Sequence, residues 1–162
     1  MNQLVIVLDF GGQYRELIAR RVRECGVSSA IWPGDTPIDR ISQAEPIGII
    51  LTGGPDSVYL PGSPRCDPGL FSLGVPVLGI CYGMHLISES MGGTVQRGAF
   101  SELGRTSMTV DVSCPMFAGL SSAQTGLMSH TDHIASLPSG FISVGRTENC
   151  ANAAIADPGR KI

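Results

Sequence analysis

Leu4-Val5-Ile6-Val7-Leu8 is an unbroken apolar run closed by Asp9, a pattern that predicts a strand buried on both faces. Gly11-Gly12 interrupts it. Tyr14, Leu17, Ile18 and Val22 then recur at helical spacing, which predicts a helix over Gln13–Glu24 with Gly26 as its stop. Ser29–Ile31 predicts a second, short strand. Ile47–Leu51 predicts a third, ending in Thr52-Gly53-Gly54-Pro55. Val75–Ile80 predicts a fourth, preceded by a short helical stretch at Asp67–Leu73. Met84–Met91 reads as a helix that stops at Gly92-Gly93. Apolar strands alternating with helices predict an α/β, doubly wound fold: a mostly parallel central sheet with helices on both faces.

The texture changes after Gly93. Short alternating segments follow at Thr106–Val112, Gly126–Met128, Phe141–Val144 and Ala153–Ala156. They predict an antiparallel extension, or an edge of mixed sheet, in the C-terminal half. No internal repeat, low-complexity tract or linker divides the chain, so residues 1–162 are expected to form one domain. Asp157-Pro158-Gly159 is a strong turn signal, and Arg160-Lys161-Ile162 has the look of a return strand. A hairpin arm of three residues gives the expectation of a domain truncated at its C-terminal end.

Composition narrows the function classes. Of 162 residues, 43% are hydrophobic and 15% charged, enough apolar material for a core and too little charge for a disordered chain. The formal net charge of −3 gives no reason to expect a nucleic-acid partner. The one basic run, Arg20-Arg21-Val22-Arg23, lies in a helical pattern and reads as a solvated face. No segment is long and apolar enough to span a bilayer, and Met1 is followed by no basic region, long apolar stretch or cleavage site, so a cytoplasmic protein without a membrane partner is expected. The five cysteines, Cys25, Cys66, Cys81, Cys114 and Cys150, are widely spaced and form no Cys-x-x-Cys pair, which argues against a disulfide framework and against a structural metal site. Most of them are expected to be small buried hydrophobes.

Cys81 sits in a different kind of sequence. Gly79-Ile80-Cys81-Tyr82-Gly83 follows an apolar strand and precedes a helical segment, the layout of a nucleophile elbow with cysteine in place of serine. Gly79 and Gly83 would relieve crowding at the sharp turn. The turn would lift the sulfur above the carboxyl edge of the sheet, and the helix N-terminus behind it would favour thiolate over thiol. The Tyr82 amide would be placed to stabilise an oxyanion. A buried core cysteine in a glycine-rich turn is the plainer alternative. Thr52-Gly53-Gly54-Pro55 ends a second strand in the same way. It is either an ordinary turn or a device that brings a backbone amide to a reacting carbonyl, and no Gly-Lys-Ser/Thr follows to suggest a phosphate cradle.

Together these segments resemble the class I glutamine amidotransferases, and in particular the amidotransferase domain of GMP synthetases. The resemblance runs from Val7-Leu8-Asp9-Phe10-Gly11-Gly12-Gln13-Tyr14 and Leu17–Glu24, through Leu51–Tyr59 and Pro64–Pro68, to Gly74–Met84, Met128-Ser129-His130 and Ala154–Asp157. It covers nearly the whole chain. It implies that Cys81 attacks the side-chain amide of glutamine, with the Gly54 and Tyr82 amides holding the oxyanion. Ammonia would leave and a glutamyl thioester would be hydrolysed to glutamate. The ammonia would pass to an ATP pyrophosphatase domain or subunit that converts XMP to GMP. No cofactor is expected in this domain; ATP and Mg belong to the partner synthetase.

Three departures from the family pattern stand out. The family activates its cysteine with a His-x-Glu motif that would follow the strand begun by Arg160-Lys161-Ile162. The residue after Met84 is usually a glutamine that helps to hold the substrate, and here it is His85. The family's Ser-His-Gly-Asp reads Ser129-His130-Thr131-Asp132, and loss of the glycine is expected to narrow a loop near the substrate. His85, Ser129, His130, Thr131 and Asp132 are thus the candidate substrate-binding residues. His133 is expected to be exposed, and none of the three histidines is assigned as general base. A non-catalytic relative that binds glutamine or docks on a synthetase subunit is the second reading. A nucleotide- or flavin-binding doubly wound domain ranks below it, since Gly11-Gly12 opens no Gly-x-Gly-x-x-Gly.

Overall fold

Residues 3–162 are described in the structure, a computed structural model. Residues up to Ile87, with Arg160–Ile162, form one compact unit, and Ser88–Gly159 form a second.

The first unit is built on four parallel strands, β1 (Leu4–Asp9), β2 (Ser28–Pro33), β3 (Gly48–Leu51) and β4 (Val77–Gly79), in the order β2-β1-β3-β4. The unbroken apolar run does what its pattern predicts: Ile6, Val7 and Leu8 are all fully buried, so both faces of β1 are covered. Helix α1 spans Arg15–Glu24 and links β1 to β2. It starts later than the expected Gln13, because Asp9 organises the preceding turn. One Asp9 carboxylate oxygen accepts the Gly11 N–H at 2.9 Å and the other takes Arg15 Nη1 at 2.8 Å.

Helix α2 (Ile38–Gln43) was not expected from the sequence. It has six residues, and only Ile41 is buried, too little periodicity to stand out. Asp67 holds it in place. Its carboxylate accepts the Gly69 N–H at 2.9 Å, capping the 3-10 turn Pro68–Ser72, and the Ile38 N–H at 3.1 Å. Strand order explains why these two elements meet. The chain moves one way from β1 to β2, then back across β1 to β3 and on to β4. With right-handed crossovers this reversal puts α1 on one face of the sheet and α2 with the 3-10 turn on the other. The doubly wound reading of the sequence is therefore correct, although β4 is shorter than Val75–Ile80 and helix α3 (Tyr82–Ser90) begins before Met84.

The second unit is the antiparallel part expected in the C-terminal half, and its strands form a sheet of their own. Its strands β5 (Thr94–Val110), β6 (Ala123–Ser136), β7 (Ile142–Arg146) and β8 (Ala154–Ala156) follow the order β6-β5-β7-β8. The long β5–β6 pairing satisfies the backbone of both strands within the unit, so neither needs the parallel sheet. Val144, Cys114 and Ala156 pack together with Phe117 and Ala154. The β5–β6 register passes from Arg97 opposite Asp132 to Glu102 opposite His130, so residues 98–101 bulge out against Thr131 alone.

Arg160–Ile162 form no return strand. Strand β8 already has its partner in β7, and the chain after the Asp157–Gly159 turn leaves the antiparallel sheet. Lys161 adopts a left-handed backbone (φ 61°), and its carbonyl accepts the Val77 N–H at 3.0 Å, beside the start of β4. Among the described residues no helix is long and apolar enough to cross a membrane.

Candidate active site

Register brings three strand ends level: Leu8 lies opposite Leu51, and Leu51 opposite Gly79. The segments that follow them, Phe10–Gly12, Thr52–Pro55 and Ile80–Gly83, therefore share the carboxyl edge of the parallel sheet. Strand order reverses at β1, so the edge between β1 and β3 is the switch point at which open α/β sheets bind ligands.

Cys81 stands on this edge, exposed, with a left-handed φ of 52°. A side chain in that conformation costs about 1–2 kcal/mol, and the surroundings hold it there. The Ile80 N–H bonds Leu51 O at 3.0 Å, the Gly83 N–H reaches Thr52 O at 3.1 Å, and the His85 N–H bonds Cys81 O at 3.0 Å. The flanking glycines are required by close approach. A Cβ on Gly79 would lie 2.6 Å from Ile87 Cδ1 and from backbone atoms of Gly83 and Met84, and one on Gly83 would strike the Leu51 carbonyl oxygen. The spacing Gly-x-Cys-x-Gly thus records the seating of the first turn of α3 on the ends of β3 and β4.

Gly53 lies beside Cys81: a Cβ placed on Gly53 would be 3.6 Å from Cys81 Cβ. Tyr82 is the first residue of α3, a position whose N–H the helix itself does not consume. Its side chain is buried, the ring packing on Phe10 with centroids 5.6 Å apart and the hydroxyl donating to Pro64 O at 2.5 Å. His85, one turn on in α3, is also buried.

Thr52 gave no sign of importance in the sequence beyond its place before Gly53-Gly54. It is fully buried and bonded to all three segments. Its N–H donates to Leu8 O at 3.0 Å, its carbonyl accepts the Gly83 N–H, and its hydroxyl accepts the Phe10 N–H at 2.9 Å while donating to Gly53 O at 2.9 Å.

The remaining candidates lie in the second unit. Ser129, His130, Thr131 and Asp132 are part of strand β6, so the expected loop is absent: pairing with β5 keeps the segment extended. Side chains alternate along a strand, which splits the group. Thr131 Oγ1 lies 2.8 Å from Ser101 Oγ, whereas His130 turns to buried Glu102. His130 Nδ1 is 2.9 Å from the Asp132 backbone carbonyl, which can only accept, so Nδ1 carries a hydrogen. Nε2 lies 3.1 Å from Glu102 Oε2, and one proton must sit between them or two lone pairs would face each other. The Thr147 hydroxyl donates to Glu102 Oε1 at 2.6 Å and accepts the Cys150 N–H at 2.9 Å. Glu102 was missed in the sequence, although it shares the inward phase of Met108 and Val110. His133 is half-buried rather than exposed, with Nε2 3.4 Å from Gln96 Nε2.

The other cysteines separate by environment. Cys114 and Cys150 are buried and Cys25 is exposed. Burial pushes the Cys66 thiol up to about 11, and burial also raises Cys150. Among the described residues no three His, Cys, Asp or Glu side chains group closely enough to hold a metal ion.

Comparison with known proteins adds to this geometry. The family model "Glutamine amidotransferase class-I" matches residues 6–162. A glutamine-hydrolyzing GMP synthase of Caldicellulosiruptor saccharolyticus is 51% identical over 99% of this chain, and that of Acetivibrio thermocellus is 48% identical over 99%. In both cases the match spans only 32% of the relative's own length. The crystal structure of a GMP synthase subunit from Thermoplasma acidophilum superposes with a TM-score of 0.81 at 29% identity, covering 100% of this chain and 81% of that one. A glutamine amidotransferase from Thermotoga maritima shares the fold, with a TM-score of 0.73 at 21% identity, covering 96% of this chain and 72% of that one.

Proposed function

Because this chain belongs to the class I glutamine amidotransferases, we propose that it is the glutamine-hydrolysing part of a GMP synthase. Cys81 attacks the side-chain carbonyl of glutamine, and the Gly54 and Tyr82 amides receive the developing oxyanion. The C–N bond then breaks, ammonia leaves with a proton, and water hydrolyses the glutamyl thioester to glutamate. His85, one turn along α3 from Cys81, is the candidate in this unit for holding the substrate. The match covers about a third of its curated relatives' length, and the ammonia is consumed by the kind of activity their name describes. That activity is an ATP pyrophosphatase domain or subunit that binds ATP and Mg and converts XMP to GMP in the cytoplasm.

The observation that carries this reading is Cys81 itself. A non-glycine residue is held left-handed at the carboxyl edge of the parallel sheet, with Gly53 beside it and the α3 N-terminus behind it. A core cysteine would gain nothing from that strain. The His-x-Glu pair that the family resemblance calls for does not occur within residues 1–162. A positioned general acid–base contributes about 10²–10⁴-fold to such a reaction, and acylation at Cys81 is the step that reports the nucleophile directly.

γ-Glutamyl-p-nitroanilide tests the chemistry. Attack by Cys81 releases p-nitroaniline and leaves a glutamyl thioester that intact-mass measurement detects. The wild-type chain should acquire one glutamyl group and the Cys81→Ala variant none. Equal release from both would sink the reading.

A further inference from the structure

The Gly54 amide can stabilise an oxyanion only if its peptide plane is fixed before the reaction, because a donor that must reorient during the reaction gives up most of its advantage. The geometry points to Thr52 as the residue that fixes it. The inference rests on the amidotransferase reading and adds a positioning residue to that site.

The Gly54 N–H and the Gly53 C=O belong to one peptide group, which is planar and trans, so the two point in opposite directions. Whatever holds the Gly53 oxygen aims the Gly54 hydrogen. The Thr52 hydroxyl donates to that oxygen at 2.9 Å. The hydroxyl is itself held, because it accepts the buried Phe10 N–H at 2.9 Å from the end of β1, a partner 42 residues away. It has one hydrogen to give, and the Phe10 bond occupies a lone pair, so the hydrogen is left for Gly53 O.

The same peptide is confined from its other side. A Cβ on Gly12 would run into the Gly53 carbonyl oxygen and lie 2.9 Å from its carbon, and a Cβ on Gly54 would strike Phe10 O. The Gly53 carbonyl is therefore enclosed between the Thr52 hydroxyl and Gly12. The Gly54 N–H is directed away from Thr52, on the residue next to Gly53, where an added Cβ would come into contact with Cys81 Cβ. Thr52 does not touch substrate. It acts through the Gly53–Gly54 peptide, and it joins that peptide to β1 and α3 by its own N–H and carbonyl.

Thr52→Val keeps the shape and removes the hydroxyl. The Phe10 N–H loses its acceptor and the peptide loses its hold. The test compares two reactions of Cys81. Acylation by γ-glutamyl-p-nitroanilide passes through an oxyanion, whereas alkylation by iodoacetamide is a direct displacement at carbon and forms none. Thr52→Val should slow acylation about 10- to 100-fold while changing alkylation by no more than about twofold. Thr52→Ser, which restores the hydroxyl, should return acylation to within about threefold of wild type. If Thr52→Val folds poorly, Gly12→Ala decides, since it presses on the same carbonyl from the other side and should slow acylation selectively. Wild-type acylation that Thr52→Val and Gly12→Ala both match would overturn the inference, as would equal losses in acylation and alkylation. No acylation of the wild type, or acylation that survives Cys81→Ala, would count against the amidotransferase reading itself and remove the premise.

Discussion

At the carboxyl edge of the parallel sheet the chain packs backbone on backbone. Gly83 lies on Leu51, Gly54 on Phe10 and Gly12 on Gly53, with almost no side-chain volume between them. A buried polar side chain at its centre, Thr52, is short, β-branched and neutral. In the antiparallel unit the buried polar centre is made of long side chains. Glu102, His130 and Thr147 meet from β5, β6 and the segment after β7, and a proton is held between carboxylate and imidazole. The first arrangement fixes atoms to within the width of a hydrogen bond and tolerates no added carbon. The second tolerates small changes of shape but requires every partner to be present, because an unpaired charge in a buried setting is expensive. A site that must present backbone amides to a developing charge suits the first kind of construction. A sheet that must keep one register across a four-residue bulge suits the second.

Removing Glu102 should break the contrast most severely. Glu102→Ala takes the acceptor from His130 Nε2 and from the Thr147 hydroxyl in a site where the Glu102 side chain is 5% exposed, and the expected cost is about 3 kcal/mol. Glu102→Gln is the sharpening control. Its amide can donate to a neutral Nε2 and accept from Thr147, so the loss should stay below about 1 kcal/mol. Urea unfolding followed by circular dichroism measures both, and equal losses would mean that the second unit requires the carboxylate itself and not merely a hydrogen-bonding partner at each position.

Gly83→Ala comes next. A single Cβ driven against the Leu51 carbonyl must lift α3 from β3, at a cost of about 2 kcal/mol. The same shift moves Cys81, so acylation should fall further than stability alone accounts for. Thermal unfolding and p-nitroaniline release on one preparation separate the two effects. A variant with wild-type stability and acylation would show that the elbow has more slack than the backbone contacts suggest.

The smallest effect concerns the thiols. Burial holds Cys66 protonated, with its pKa raised to about 11, whereas Cys25 and Cys81 are exposed. At pH 8 iodoacetamide should modify Cys25 and Cys81 and spare Cys66, as peptide mass mapping will show. The sign of the pH dependence follows. An unfolded chain releases the Cys66 proton near pH 9 and the folded one near 11. The contribution of this group to stability is complete below pH 9 and is lost as pH rises through 11, so Cys66→Ser should flatten the alkaline limb of the stability profile.

How far the sequence could be read follows from the same contrast. The elbow was legible because its requirements are local: glycine at Gly79 and Gly83, an apolar strand before them and a helix after. The antiparallel unit was read in fragments because its hydrophobic pattern is inverted at the bulge. Glu102 is buried, while Phe100 and Leu103 are each 73% exposed and Leu127 is 71% exposed. Alternation therefore failed where β5 and β6 begin to pair, and the first half of β5 was not predicted. The segment Ser129–Asp132 was expected in a loop for a related reason, since nothing in its own residues reveals a partner on β5.

By itself the sequence determined the strand–turn–helix around Cys81, the alternation of strands and helices in the first unit and the resemblance that led to glutamine. All of these depend on residues close together along the chain. Only the tertiary structure decided that Thr52 would hold the Gly53–Gly54 peptide through Phe10, and that Glu102 would share a proton with His130 28 residues away and accept from Thr147 45 residues away. A hydroxyl or a carboxylate has several possible partners in any chain. Strand register and the exclusion of water leave it one, and neither can be read from spacing.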